Sequence, residues 1–392
     1  MGKMTSVIAT LASLALAGLI LGGDALADEG MWTYNDFPAG VVGERYGFTP
    51  DPTWLEHVRL SSVRLAGGCS GSIVSPDGLV MTNHHCATSC IERLSTAETD
   101  LVASGFYAQT LEDERRCPQM ELNVLTELTD VTERVRAATA DKSGEAFATA
   151  RRATVAEIER ACATGDEWRC EVVTLYHGGQ YHLYKYRRYQ DVRLVFAPEF
   201  SVAFFGGDPD NFMFPRYNLD VSFVRIWDDD KPLHVDHYLK WSKAGAADGE
   251  LTFVSGNPGR TSRLNTVAQL LYQRDVRIPE RLFELLEARG ALEQFAARGE
   301  EQARVSAATR FYIGNGIKAY KGMRNALIDR GFFKGLVERE EAFRAKVNAD
   351  EGLKASFGDA WPRLEEATAA LVRARDRYLL IDCWGVGVFL AK

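Results

Sequence analysis

No basic cluster offsets the acidic balance of this chain: 54 acidic against 46 basic side chains leave a net charge of -8 over 392 residues. Phosphate binding needs a basic face, so a nucleic-acid partner is excluded. No C-x-x-C pair accompanies a His-x-His, which removes the spacing of a structural zinc site. His234-x-x-His237 is a poor substitute, because a strand after Lys231-Pro232 would throw the two rings onto opposite faces. No cysteine follows the apolar N-terminal run, so a lipid-anchored terminus has no support. No metal and no cofactor are expected.

Beyond these absences, the length exceeds that of a single core, and 46% hydrophobic residues suffice for two domains. Lys3, a mostly apolar run over residues 7–21 and Ala25-Leu26-Ala27 read as a signal peptide of residues 1–27 with a small-x-small cleavage site. A run this short is near the lower limit for a membrane span. The mature protein is therefore expected to start at Asp28, in the periplasm or secreted, with no stable membrane insertion. Export favours disulfides among the seven cysteines. Cys162 with Cys170 would close a short loop around Gly165-Asp166, Cys90 with Cys117 remains by elimination, and Cys383 is left single.

The centre of the chain is the stretch over residues 67–86. Two short apolar runs flank Pro76-Asp77-Gly78, whose proline and glycine supply a tight hairpin turn. The second strand delivers His84 and His85 at its exit. Cys69 and Cys86 sit at the outer ends, where antiparallel pairing brings them into register for a disulfide. Further strands are expected at 120–128, 170–176, 181–187, 192–197, 201–205, 220–227 and 251–255, interrupted by a charged helical excursion over 130–163. His182, Tyr184 and Tyr186 share one face at period two. Short strands at this spacing suit a small antiparallel barrel or sandwich. From 264 to 380 the pattern is helical, with Leu282, Leu285, Leu286, Leu364, Ala367 and Leu371 at helical spacing and glycines placed at turns or helix ends at Gly290, Gly314-Asn315-Gly316 and Gly331. The apolar end over 381–392 reads as an interrupted chain.

A catalytic histidine needs a carboxylate to hold its tautomer and a nucleophile to deprotonate. His85 is preferred over His84 because the adjoining Cys86 disulfide fixes its backbone. Asp220, at the start of an apolar strand, is the carboxylate candidate; Asp208 and Asp210 compete from a Gly-Pro loop where aspartate usually makes turns. No serine completes the set. Ser70 lies on the hairpin's first strand ahead of the histidines, and Ser255-Gly256-Asn257-Pro258-Gly259 has proline where a nucleophile motif wants serine. A cysteine nucleophile is displaced by the bridging reading.

Three segments carry a resemblance: Gly-Gly-Cys-Ser-Gly-Ser-Ile-Val-Ser with Thr82-Asn83-His84-His85-Cys86, Glu29-Gly30-Met31-Trp32, and Gly206-Gly207-Asp208-Pro209-Asp210-Asn211-Phe212-Met213-Phe214-Pro215-Arg216. They resemble the bacterial dipeptidyl-peptidase VII and XI family, exported chymotrypsin-like serine exopeptidases, dipeptidyl aminopeptidase BII among them. The likeness spans about residues 28–380 and only the first half of a full-length member. It implies an α+β fold: a chymotrypsin-like antiparallel β-barrel, the first of two, over 28–262, then part of an α-helical cap domain over 263–392.

The resemblance puts the general base on His85 and the triad aspartate on Asp220. It puts the clamp for the substrate's free amino group on Asn211 and on Asn315, which precedes Lys318 in an Asn-x-x-Lys segment. Phe212 stands where the family commonly has tryptophan, keeping a stacking wall without the indole N–H. The implied activity is release of dipeptides from peptides with a free N-terminus, and a homodimer is expected for the full-length form. The family's serine lies in a Gly-Asn-Ser-Gly motif of the second barrel, absent from these residues. The 392-residue chain alone is therefore expected to be inactive, a truncated enzyme; a non-catalytic peptide-binding remnant is the alternative.

Overall fold

The computed structural model describes residues 30–96, 98–258 and 262–381. The signal peptide, Cys383 and the apolar end after Ile381 lie outside them. The chain divides into two compact units: one runs up to Ala197 and resumes at Val221, and the other takes Pro198–Asp220 together with the helical chain after residue 261. The 198–220 segment, grouped by the sequence with the strands, thus packs with the helices.

The first unit is one antiparallel sheet of eleven strands: β1 (Ser62–Leu65), β2 (Ser70–Ile73), β3 (Leu79–Thr82), β4 (Phe106–Tyr107), β5 (Arg115–Arg116), β6 (Leu122–Asp130), β7 (Trp168–Leu175), β8 (Gln180–Tyr189), β9 (Asp191–Ala197), β10 (Ser222–Asp228) and β11 (Lys231–Pro232). They lie in the order β4-β9-β10-β3-β2-β1-β6-β8-β7, with β11 on β10 and β5 on β9. Six successive neighbours, from β9 to β6, send Val192, Leu194, Val224, Ile226, Val80, Ile73, Val63 and Leu122 into one buried cluster. Side chains of six neighbouring strands on one face of the sheet thus form the core of this unit. Each such side chain is worth about 1.5–3 kcal/mol of burial.

The turn between β2 and β3 needs its glycine. Gly78 has φ +67°, and a Cβ there would meet the carbonyl oxygens of Leu233 and Ile226 at 2.9 and 3.0 Å. The charged excursion forms two helices, Thr132–Thr139 and Gly144–Cys162. Val135 and Ile158 from them bury against Tyr181 of β8. Disulfides join Cys69 to Cys86, Cys90 to Cys117 and Cys162 to Cys170.

Two expected strands are not strands. Within the 201–205 segment, Phe200–Ala203 is a helical turn, its amides closing on Glu199 and Phe200 instead of on a neighbouring strand. Short apolar runs cannot be assigned by periodicity alone. The 251–255 segment has no ladder partner. Its Phe253 ring packs among aromatics, 5.9, 5.6 and 5.3 Å from Phe37, Phe48 and Trp54.

The second unit is helical, with Val267–Tyr272, Ile278–Ala296, Glu300–Ile328, Arg330–Ala349 and Ala360–Ile381 as its main elements. Its core joins Ile278, Leu282, Leu285, Ala288 and Leu292 to Ile313, Ile317 and Leu327. Gly331 lies in the first turn of its helix, as expected, whereas Gly290, Gly314 and Gly316 lie inside helices and not at turns or ends. Close approach explains Gly316: a Cβ there would sit 3.2 Å from Leu285 Cδ1. Leu286, Leu364, Ala367 and Leu371 are exposed, and the last helix is anchored instead by Trp361, buried edge-on against Phe343.

Candidate active site

β3 ends at Thr82, and Asn83 is extended before the chain turns into a helix, His84–Leu94. The two histidines therefore open a helix instead of ending a strand. The signal was present in the sequence: His84, Ala87, Cys90 and Ile91 recur at helical spacing and are the residues this helix buries. Because the helix, not a strand, sets the directions, His84 is buried and His85 is exposed. The Cys69–Cys86 bridge ties the first turn of this helix to the residue preceding β2. An imidazole nitrogen of His85 and the two sulfurs lie within 4.8 Å of one another. Both sulfurs are consumed in the disulfide, so this cluster has no thiolates to offer a metal.

β10 pairs with β3, and the register Val224 with Val80 and Phe223 with Met81 ends at Ser222 with Thr82. His85 follows Thr82 by three residues, and Asp220 precedes Ser222 by two. Asp220 thus stands just ahead of the strand that was expected to begin with it, and is half-buried.

The serines considered as nucleophiles have structural contacts. Ser70 Oγ accepts the backbone N–H of Asn257 at 2.7 Å. Ser62 donates its hydroxyl to Ser255 Oγ at 3.0 Å and in turn accepts from the Tyr34 hydroxyl at 3.1 Å. Burial raises the Tyr34 phenol above its ordinary value, against the opposing effect of its hydrogen bonding with Ser62 and Ser255. Together these bonds fasten the 255–257 segment onto β1 and β2.

In the second unit, the Gly206–Arg216 loop meets the helix Glu300–Ile328. Asn211 donates from Nδ2 to Asn315 Oδ1 across 104 residues of sequence. Arg216 Nη1 donates to Asn211 Oδ1 at 2.9 Å. The guanidinium lies 5.1 Å over the Phe204 ring, which meets Phe311 of the helix edge-on at 5.2 Å. One turn beyond Asn315, Lys318 pairs with Asp208 Oδ1 at 2.8 Å and bonds the Asp208 carbonyl. Asp208, a rival to Asp220, is thereby committed to an ion pair. Phe212 has φ +66°, a region bulky side chains seldom adopt, and its ring is 65% exposed beside Asn211. Residue reasoning alone assigned no task to Arg216 or Lys318, although both stood next to the motifs it used.

This arrangement can do two things chemically. Each amide oxygen has two lone pairs. After the bonds above, Asn211 Oδ1 and Asn315 Oδ1 each retain one for an additional donor. His85 offers an accessible imidazole on a backbone fixed by covalent and helical bonds.

The class is an α+β architecture of antiparallel sheet and helices shared with a solved structure. The crystal structure of Porphyromonas endodontalis DPP11 in complex with the dipeptide Arg-Glu superposes with a TM-score of 0.73 at 22% identity, covering 90% of this chain and 54% of that one. At that identity the likeness speaks for the fold. Residues 27–386 match the Peptidase S46 family model, and the chain belongs to the Peptidase S46 family. It is similar to the Asp/Glu-specific dipeptidyl-peptidase of Shewanella putrefaciens, 33% identical over 284 residues, 68% of this chain and 38% of that protein. It is also similar to dipeptidyl-peptidase 7 of Porphyromonas endodontalis, 29% identical over 398 residues, 93% of this chain and 47% of that protein. The chain spans about half the length, or less, of the curated relatives it matches. Among the described residues, no helix is long and apolar enough to cross a membrane.

Proposed function

We propose that this chain carries the general base and the amine clamp of an exported serine-type dipeptidyl-peptidase that releases dipeptides from free peptide N-termini. His85 takes the proton from a serine hydroxyl as it attacks the scissile carbonyl and returns it to the leaving amine. Asp220 accepts from the imidazole, fixing its tautomer and stabilising the imidazolium. Asn211 and Asn315 accept hydrogen bonds from the substrate's α-ammonium, and Phe212 walls the first residue. Residues 28–262 would supply the catalytic portion and 263–392 the cap. Three disulfides support an oxidising compartment.

The observation that carries the proposal is the side-chain contact between Asn211 and Asn315. It brings two side-chain amides together from segments 104 residues apart, and each keeps an oxygen lone pair for an ammonium donor. The pairing of His85 with Asp220 is the one that the family resemblance implies.

The family resemblance assigns the serine to a second barrel, a part of the family's length that these 392 residues do not span. Losing the nucleophile costs about a millionfold in a comparable triad enzyme. The 392-residue protein is therefore proposed to bind N-terminally free peptides while hydrolysing them negligibly. Binding without catalysis is the second reading, which the same asparagine contact favours.

Calorimetry with a short peptide tests the clamp. The free-amine form binds, its N-acetylated twin does not, and Asn211→Ala or Asn315→Ala removes the difference. Equal binding of both forms would overturn the clamp. Dipeptide release from a fluorogenic substrate by the purified 392-residue protein, lost in His85→Ala, would overturn the claim of inactivity.

A further inference from the structure

His237 meets not its sequence neighbour His234, whose ring the spacing was expected to throw to the opposite face, but His57, 180 residues earlier in the chain. We propose that His57 and His237 form a binding site for a divalent transition-metal ion of the zinc type, independent of the peptidase reading. The two Nδ1 atoms are 3.1 Å apart, and the rings are inclined at 50° with centroids 5.4 Å apart. With zinc–nitrogen bonds of about 2.0–2.1 Å, two ligands on one ion stand about 2.9 Å apart at a right angle and about 3.3 Å apart at the tetrahedral angle. The observed spacing falls between these.

Two neutral imidazoles cannot direct lone pairs at each other over such a distance without a proton or a cation between them. Imidazole nitrogen is a preferred donor to zinc, copper and nickel. Both residues are half-buried, so water can complete the coordination.

The backbone holds both ligands ready. His57 lies on the helix Pro52–Ser61, where its carbonyl accepts the Ser61 hydroxyl at 2.7 Å. On either side of His237, Val235 N–H bonds the Pro76 carbonyl at 2.9 Å and Leu239 N–H bonds the Ile73 carbonyl at 2.8 Å. An ion bound here fastens the helix that leads into β1 to the segment that follows β11. Such a bond raises stability in proportion to the logarithm of free metal.

The test is titration of zinc chloride into tag-free 392-residue protein that has been stripped with a chelator and dialysed. One equivalent binds, and the melting temperature rises with zinc concentration. His57→Gln and His237→Gln each weaken binding by about tenfold or more, on the scale by which even outer-shell changes act. His234→Gln, which alters an exposed ring 3.9 Å from Asp77, leaves binding unchanged. In the unmutated protein, proton NMR follows the histidine Hε1 signals, and two of them shift together at one equivalent, a readout free of folding effects in the variants. Absence of bound zinc, binding that survives both substitutions, or loss in His234→Gln overturns the proposal.

Discussion

Glu121 illustrates how much a single side chain of the sheet unit carries. It stands just ahead of β6 and accepts from Arg188, from Arg169 at 3.2 Å and from Asn123 at 3.1 Å. Burial alone would raise its carboxyl, but the hydrogen bonds from Arg188 and Asn123, the Arg188 charge and the bond from Arg169 outweigh it and hold the group below its ordinary value of 4.5. A carboxyl lowered by folding contributes stability that is complete above the unfolded value and disappears as pH falls through the folded one. Urea melts of the parent and Glu121→Gln should therefore differ at pH 7, with the parent more stable, and converge as pH drops below about 4.5. A gap that persists unchanged at pH 3 would show that Glu121 acts by packing alone. At the same scale, the bridge beside His85 could be read in advance and the surroundings of the ring could not. A histidine beside a bridged cysteine is readable from the sequence, whereas the exposure of His85 and burial of His84 follow from a helix start hidden inside a strand reading.

At the scale of elements, the β2–β3 hairpin was readable because turn chemistry, alternation and two cysteines agree over fewer than twenty residues. The asparagine contact rested on a family likeness, since no local pattern joins residues 211 and 315. The failures share a cause. Residues 201–205 and 251–255 are short apolar runs whose partners, a helical turn's own carbonyls and an aromatic cage, lie outside any local periodicity. Gly316 was read as a turn because the close approach of a neighbouring helix cannot be seen from one segment. The hairpin also yields a quantitative expectation. Cys69 and Cys86 close a span of 17 residues, for which the chain-entropy model gives about 3 kcal/mol. The double substitution Cys69→Ser with Cys86→Ser should lower the free energy of unfolding by about that amount in urea and loosen amide protection at the start of the His84–Leu94 helix. Unchanged protection there would mean that the bridge does not position His85.

For the whole molecule, the decisive feature is apolar surface concentrated on one stretch of the helical unit. Phe205, Phe212, Met213, Phe214 and Tyr217 are 59, 65, 61, 96 and 79% exposed within a few residues of one another. Scattered exposed apolar residues are ordinary, but a contiguous set of aromatics marks a surface that binds something or associates. Part of this set walls the proposed clamp, yet Phe214 and Tyr217 are the most exposed members and make no ring contact among the described residues. A net charge of -8 slows association by repulsion without masking such a patch. The purified 392-residue protein should therefore associate as its concentration rises, eluting earlier from gel filtration and binding a hydrophobic dye. Phe214→Ser with Tyr217→Ser should reduce both effects while leaving the melting temperature nearly unchanged, because surface substitutions of this kind cost little stability. A sharp monomer peak at every concentration, with a cooperative melt and no dye binding, would show that the patch is closed over in solution.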